Sequence, residues 1–136
     1  MVAEKFTFRG LTLDKLKDMP LKEFMKLVNS RPRRSLKRGP TAEQRIFMKK
    51  VKKARAQADE GKEPKMIKTH CRDVVITPNM IGLKIGVHDG RAFIEVEVTP
   101  DKLGHILGEF TYNRKRVAHS SPGVGATRGS AFVPTK

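Results

Sequence analysis

Lysine and arginine are the residues with the clearest chemistry in this chain, and they are concentrated in two places. Residues 31–55 contain eleven Lys or Arg and one acid, Glu43, which gives a local charge of +10. Residues 113–136 contain five bases and no acid, whereas residues 74–112 carry a charge of −2. Arginine binds phosphate through a planar two-bond fork, and lysine supplies a point charge. Charge this strong and this segregated predicts a polyanionic partner, above all nucleic acid.

The residues expected to contact nucleic acid come from three segments. Lys68, His70 and Arg72 are suited to grip a sugar–phosphate backbone. Residues 123–130 resemble a phosphate-binding loop only loosely, because the Gly-Lys-Ser/Thr ending is missing, so Arg128 is expected to make occasional phosphate contacts. The densest group lies between residues 31 and 40 and comprises Arg31, Arg33, Arg34, Lys37 and Arg38.

Neither a metal site nor a catalytic site is predicted. His70 and Cys71 are adjacent, and two neighbouring ligands without a second Cys/His pair do not complete a tetrahedral zinc site. Glu95 and Glu97 share one strand face, as a catalytic carboxylate pair would, but exposed acids on strands are far commoner. The serine pair at 120–121 has no patterned base beside it. The chain is therefore not expected to be an enzyme or to hold a cofactor.

Composition narrows the class of protein further. The 136 residues carry a net charge of +15, and one Tyr, no Trp and seven Phe argue against a base-stacking platform like those of single-strand binders. Cys71 is the only cysteine, which excludes an intrachain disulfide and fits a reducing compartment. The chain lacks the apolar region of a signal peptide and the roughly 20 apolar residues of a membrane helix. We expect a soluble, cytoplasmic protein without a membrane partner.

The basic residues must be positioned by folded elements, and the chain before them is predicted to be helical. A short helix over about 13–18 is expected to be capped by Thr12. A second helix over about 20–29 is expected to have Pro20 at its first position. Its apolar stripe consists of Leu21, Phe24, Leu27 and Val28.

The basic segment itself is predicted to be part loop and part helix. Two prolines and a glycine interrupt residues 31–40, which predicts an irregular basic loop. Thr41 and Gln44 match a capping box and predict a helix over about 42–58. A polar linker is expected over residues 59–64.

The middle of the chain has the clearest strand pattern. Residues 74–76 predict a short strand, and residues 77–82 predict one capped helical turn. Residues 83–88 and 92–98 predict two strands, separated by the two-residue turn Asp89-Gly90. Alternation in the second strand predicts that one of its faces lies on a core. That face consists of Ile94, Val96 and Val98.

A further helix is predicted after the hairpin. Thr99 is expected to cap it, Pro100 to begin it and Gly108 to end it. Its predicted buried face consists of Leu103, Ile106 and Leu107.

These elements predict an α+β fold in which a small antiparallel or mixed sheet with a β-hairpin packs against helices. The predicted organisation has three segments: a helical, basic N-terminal extension over residues 1–64, an α+β RNA-binding module over 65–112 and a basic extended tail over 113–136. Because the patterned middle is small, we expect much of the chain to become ordered only on its partner.

Several of these segments have a sequence specific enough to indicate a family. The most specific part is Asp89-Gly-Arg followed by Leu103-Gly-His-Ile-Leu-Gly-Glu-Phe110. Lys68-Thr-His-Cys-Arg-Asp73 and Pro78-Asn-Met-Ile-Gly82 agree with it, and one departure is Asn113, where Ser or Thr is usual. Together they resemble the small-subunit ribosomal protein S-nineteen family in its archaeal and eukaryotic (S-fifteen-e) form.

The resemblance implies a structural protein of the small-subunit head that acts in translation. It implies binding to the 3′ domain of small-subunit ribosomal RNA and pairing with the neighbouring protein S-thirteen, with the tail directed toward the decoding region and aminoacyl-site transfer RNA. The RNA contacts that it implies are Lys68, His70, Arg72, Arg91, His105, Arg114, Lys115, Arg116 and His119.

Two other functions fit parts of the sequence. Composition alone also allows a free-standing basic protein that compacts DNA. The apolar stripe of helix 20–29 would suit a protein–protein adaptor. Such an interaction is better taken as an additional role of the same RNA-binding protein than as a separate function.

Overall fold

A computed structural model describes residues 6–114 and 116–118 of the chain. This part contains four α-helices, a two-stranded antiparallel sheet and a three-stranded mixed sheet, so the predicted α+β class is confirmed. None of its helices is long and apolar enough to cross a membrane. The helices are α1 (Leu13–Asp18), α2 (Leu21–Leu27), α3 (Ser30–Arg38) and α4 (Ala42–Asp59). The strands are β1 (Thr7–Phe8), β2 (Leu11–Thr12), β3 (Ile67–Thr69), β4 (Lys84–His88) and β5 (Phe93–Glu97).

The first two helices lie where the sequence predicts them, with different ends. The predicted bounds of α1 are confirmed, but the side chain of Thr12 makes no capping hydrogen bond. Pro20 is the residue before α2 and not its first helical residue. The helix ends at Leu27, two residues early, because Val28 is extended and Asn29 already precedes the next helix.

The prediction of an irregular loop over residues 31–40 was wrong, because most of this segment forms α3. Pro32 lies in the first turn of the helix, where its missing N–H removes no helical hydrogen bond. Gly39 ends the helix with a φ of +85°, a left-handed conformation that glycine adopts without a steric penalty. Pro40 follows Gly39, so all three helix breakers lie in the first turn of α3 or beyond its end and leave the rest of the helix regular.

Helix α4 is confirmed together with its capping box. The amide of Thr41 donates to Gln44 Oε1 at 3.0 Å, and the amide of Gln44 donates to Thr41 Oγ1 at 3.4 Å. Gln44 Nε2 also donates to Asp73 Oδ2 at 2.6 Å. One glutamine thus caps α4 and joins it to the segment that follows β3.

The three-stranded sheet has the order β3-β4-β5, with β3 parallel and β5 antiparallel to β4. The predicted strand over residues 74–76 was wrong, since this segment makes one isolated bridge, Val75 to Ile106. The third strand is β3, whose three residues are too short to give a strong sequence signal.

The predicted hairpin is confirmed, but its turn is longer than two residues. The strand ladder closes at the pair His88–Phe93, which leaves a four-residue loop. Asp89 Oδ1 accepts hydrogen bonds from the amides of Arg91 and Ala92, each at 2.7 Å. This side-chain-to-backbone turn replaces the tight Asp-Gly turn that the sequence predicted.

The single helix predicted from Thr99 to Gly108 was also wrong. Two short 3-10 helices lie there, Pro100–Lys102 and Leu107–Phe110. Gly104 separates them with a φ of +76°, and its amide donates to the carbonyl of Ile76 at 3.1 Å. The backbone between them therefore pairs with residues 74–76, which prevents a continuous helix. The predicted burial of Leu103, Ile106 and Leu107 is confirmed.

One hydrophobic core joins the helices to one face of the three-stranded sheet. Phe24 and Val28 are buried in it, so most of the apolar stripe on residues 20–29 is covered by the chain itself. Val96 and Val98 of the predicted core face are buried, whereas Ile94 is 39% exposed. The core draws on residues before and after position 64, and the division into three segments stays a prediction. Its other members include Leu16, Phe47, Val51, Ile67, Met80, Ile85, Val87 and Leu107.

The opposite face of the three-stranded sheet, called the outer face below, points away from this core. Along β3 the side chain of Lys68 is exposed, while its neighbours Ile67 and Thr69 are buried. Lys84 and Glu95 are exposed on adjacent strands and form an ion pair at 3.5 Å. Within the described part of the chain, these side chains are therefore exposed on the outer face.

Candidate nucleic-acid interface

Helix α3 arranges the predicted contacts of the first basic segment. Arg31, Arg34 and Arg38 are spaced i, i+3 and i+7, which places them on one side of the helix. All three are exposed, and so is Lys37. Because the segment is a helix and not a loop, their charges lie along a fixed line about 10 Å long.

Arg33 differs from its neighbours because its guanidinium is already bound within the chain. It donates to the carbonyl oxygens of Met25 at 3.0 Å, Lys26 at 3.2 Å and Val28 at 2.8 Å. These carbonyls belong to the end of α2 and the residue after it. Since the last carbonyls of a helix lack helical partners, Arg33 satisfies them and holds α3 against α2.

Arg72 is likewise bound inside the fold. Its guanidinium donates to the carbonyls of His88 at 2.7 Å and Gly108 at 3.0 Å, and to that of Thr111 as well. The residue is half-buried. It thereby links the end of β4 to the segment at 108–111, which is a structural role that sequence reasoning did not identify.

Lys68 and His70 lie on the outer face, where strand pairing gathers two further rings around them. The ring centroids of His70 and His88 are 4.4 Å apart, and that of Phe93 is 5.1 Å from His70 and 4.9 Å from His88. Lys68 Nζ lies 5.5 Å from the centre of the Phe93 ring. His88 and Phe93 were not predicted as site residues, because only the register of β3, β4 and β5 brings them beside His70.

The remaining predicted contacts are spread over the surface. Arg91 is exposed in the hairpin loop. His105 Nδ1 lies 2.6 Å from Glu109 Oε2, and its ring meets the edge of Phe110 at 5.8 Å between centroids. The other predicted contacts all follow the 3-10 helix Leu107–Phe110. Arg114 and Arg116 are exposed, and Lys115, His119 and Arg128 lie outside the described residues.

A cleft lined by lysines runs between α4 and β3 and was missed by sequence reasoning. It has a volume of about 630 Å³, and among the described residues that line it Glu63 is the only acid. Lys50 and Lys68 also line a smaller depression that continues to His70. The cleft has no periodic sequence signal, because tertiary packing brings α4 beside β3. Its lysines are Lys50, Lys53, Lys62, Lys65 and Lys68.

The hairpin loop holds a carboxylate whose titration is perturbed. The amides of Ala92 and then Arg91 donate to Asp89 and hold the pKa of its carboxyl below the usual range, with a smaller contribution from His88. These hydrogen bonds favour the charged form. The negative charge is thereby used to shape the loop that presents Arg91.

Chemically, these surfaces are suited to binding an extended polyanion. The exposed cations of α3, α4 and the cleft provide both arginine forks and lysine point charges. In residues 6–114 and 116–118 no three His, Cys, Asp or Glu side chains come together as a metal site. The exposed cations are suited to recognising phosphates.

Comparisons with known proteins agree with the resemblance drawn from the motifs. A family model described as Ribosomal protein S19 matches residues 34–119. The small ribosomal subunit protein uS19 of Methanococcus aeolicus is 54% identical over 132 residues, which cover 97% of this chain and 82% of the relative. The proteins of the same name from Methanococcus maripaludis strain C7 and Methanococcus vannielii are 51% and 50% identical with the same coverage. The resemblance is confirmed, and the chain belongs to the ribosomal protein S19 family.

Proposed function

We propose that the chain is a structural constituent of the small ribosomal subunit and acts in translation by binding ribosomal RNA. Family membership supports the ribosomal role, and the named relatives are small-subunit proteins. The observation that carries RNA binding is the exposed cationic surface formed by α3, α4 and the lysine cleft. No enzymatic activity is proposed, and the cytoplasmic ribosome is the proposed location.

The protein acts as a clamp on RNA, and its cations have two roles: some stabilise the fold and others bind phosphate. Arg33 and Arg72 hold elements of the fold together through backbone carbonyls. Exposed residues such as Arg34 and Lys53 remain available to neutralise phosphates that would otherwise repel one another. RNA that is recognised by shape requires cations directed at its backbone more than readers of base edges.

The finer parts of the proposal come from the family resemblance. The RNA is the 3′ domain of small-subunit ribosomal RNA, and the protein neighbour in the subunit head is S-thirteen. The tail over residues 113–136 is directed toward the decoding region and aminoacyl-site transfer RNA. The basic composition of that tail supports this placement, since it carries five bases and no acid.

A salt-dependence experiment tests the proposal. The full chain is titrated onto a transcript of the 3′ domain between about 50 and 200 mM salt, where six to ten phosphate contacts predict a loss of roughly 10³–10⁵ in affinity. The variant Arg31→Ala/Arg34→Ala/Arg38→Ala should bind more weakly, with a slope shallower by about one per lost contact. Binding of the wild-type chain that does not change with salt would contradict the proposal.

A matched control separates the α3 surface from net charge alone. Lys15, Lys17 and Lys22 are exposed on α1 and α2, and replacing them with Ala removes the same three charges. This control should retain the wild-type slope more closely than the α3 variant. Duplex DNA is added as a competitor, since preference for duplex DNA would favour the DNA-compacting function instead.

A further inference from the structure

We propose that the outer face carries a stacking site for one unpaired RNA base, formed by His70, His88 and Phe93, with Lys68 beside it for a neighbouring phosphate. The inference rests on the proposed function, because it assigns a specific contact within RNA binding. It adds base recognition to a surface that otherwise offers only charge.

The site is built by the register of the sheet. Thr69 pairs with Val87 at the end of the β3–β4 ladder, so His70 and His88 follow side by side on adjacent strands. His88 pairs with Phe93 across the hairpin. The ring of His70, directly after β3, therefore meets the rings of His88 in β4 and Phe93 in β5 at one end of the sheet, all within 5.1 Å of one another between centroids.

The two histidine rings differ in burial and in how firmly they are held. His88 is half-buried, and its Nδ1 accepts a hydrogen bond from the amide of Gly90 at 3.1 Å. That bond fixes the ring orientation and leaves the hydrogen of the neutral imidazole on Nε2. His70 is exposed and lies against His88 with 37° between the ring planes. The fixed ring of His88 thus supports the ring of His70, which is exposed to solvent.

The cluster is not an extension of the hydrophobic core. Ile67, Ile85 and Val87 of the same strands point to the core and are buried. His70 is on the opposite side and is exposed, and Lys68 next to it on that side is exposed as well. A group of rings left on the solvent face of a sheet is the arrangement on which RNA bases stack in sheet-based RNA-binding modules.

The surrounding charge indicates a nucleotide base and not an aromatic side chain of a protein. The depression beside His70 is lined by two lysines and one acid, Glu43, and the lysines, Lys50 and Lys68, also line the lysine cleft. An RNA strand whose phosphates lie along the cleft would bring a base to His70. One such site needs a single unstacked base, in contrast to the long platforms of single-strand binders.

The inference is tested with His70→Ala and the ring-retaining variant His70→Phe, both in the full chain and bound to the 3′-domain transcript. Loss of one stacked base predicts a fall in affinity of about 5- to 100-fold for His70→Ala. The slope of affinity against salt should stay that of the wild type, because no phosphate contact is lost. His70→Phe should recover most of the affinity.

Lys68→Ala is the contrasting variant, and it should make the slope shallower by about one. Chemical probing of base edges should reveal one unpaired nucleotide that the wild-type chain protects and the His70→Ala chain exposes. An abasic transcript at that nucleotide should bind both chains equally. Circular dichroism checks that each variant has the wild-type fold.

The outcomes separate this inference from the proposed function. If the wild-type chain binds with a steep salt slope and His70→Ala binds equally well, the stacking site is overturned while RNA binding stands. A His70→Ala chain with an altered slope, or a His70→Phe chain as weak as the Ala variant, also overturns stacking. A wild-type chain that fails to bind the transcript overturns both.

Discussion

Arg72 and Gly108 are joined by two hydrogen bonds that run in opposite directions. The guanidinium of Arg72 donates to the carbonyl of Gly108 at 3.0 Å, and the amide of Gly108 donates to the carbonyl of Arg72 at 2.8 Å. The two residues are 36 positions apart in the chain. This reciprocal contact fixes the segment after Leu107 against the segment after β3.

Replacement of Arg72 with Ala should destabilise the fold. Three backbone carbonyls would lose a charged donor in a half-buried setting, and hydrogen bonds to charged groups are among the stronger ones. We expect the free energy of unfolding to fall by about 2–3 kcal/mol, measured by urea denaturation.

Two variants make this test specific. Arg72→Lys keeps the charge but has no planar fork to reach three carbonyls, so it should recover only part of the lost stability. Arg91→Ala removes an exposed arginine of the hairpin loop and should change stability by less than about 0.5 kcal/mol. Equal stability of Arg72→Ala and Arg91→Ala would contradict the structural role of Arg72.

Gly108 should not tolerate a side chain, because backbone lies against it. Gly86 serves as the control, because only a flexible side chain lies against it. A Cβ at position 108 would lie 3.0 Å from the carbonyl oxygen of Arg72, which is backbone and cannot move freely. At Gly86 the nearest atom would be Met66 Sδ at 3.1 Å, on a flexible side chain. Gly108→Ala should cost about 1–3 kcal/mol by thermal or urea unfolding. Gly86→Ala should cost clearly less, and the reverse order would refute this reasoning.

Much of the fold follows from local sequence signals. Helix α4 was predicted because a capping box and strong helix formers agree along its length. The β4–β5 hairpin was predicted because the turn signal Asp89-Gly90 separates two runs of strand-forming residues. The failures lie where tertiary pairing decides the conformation. Residues 74–76 pair irregularly with the chain around Gly104, and β3 exists only because β4 offers it an edge.

The candidate site was predictable in composition but not in arrangement. Charge alone identified Arg34 and Arg33 equally, yet the structure leaves the first exposed and binds the second to the end of α2. The lysine cleft escaped prediction because packing and not sequence spacing brings Lys53 near Lys65. The sequence gives the number and position of the charged residues, but the fold determines which of them are exposed and which bind backbone carbonyls.

Arg33 and Arg34 should therefore give opposite results when each is replaced with Ala. Arg33→Ala leaves three carbonyls near the end of α2 without their donor and should lower the free energy of unfolding by about 1–2 kcal/mol. Arg34→Ala should leave stability within about 0.5 kcal/mol of the wild type. It should instead weaken RNA binding and reduce the salt slope by about one.

Both properties are measured on each variant, by urea denaturation and by titration onto the 3′-domain transcript. A stability loss for Arg34→Ala as large as that for Arg33→Ala would show that exposure does not separate the two roles. RNA binding by correctly folded Arg34→Ala with an unchanged slope would remove this arginine from the interface.

The hairpin loop should lose a stabilising contribution in acid because the pKa of the Asp89 carboxyl is lowered in the folded chain. Amides of Ala92 and Arg91 favour its charged form, while the pKa of an unfolded aspartate is about 3.9. A group with a lowered folded-state pKa contributes its stability above the unfolded pKa, and this contribution is lost as pH falls through the folded pKa.

Asp89→Asn keeps the side-chain oxygen as an acceptor but does not titrate. The stability of the wild-type chain relative to Asp89→Asn should therefore be greatest near neutral pH and shrink below about pH 4, as followed by urea denaturation across that range. A difference that stays constant down to about pH 2 would show that the carboxylate charge does not stabilise the loop.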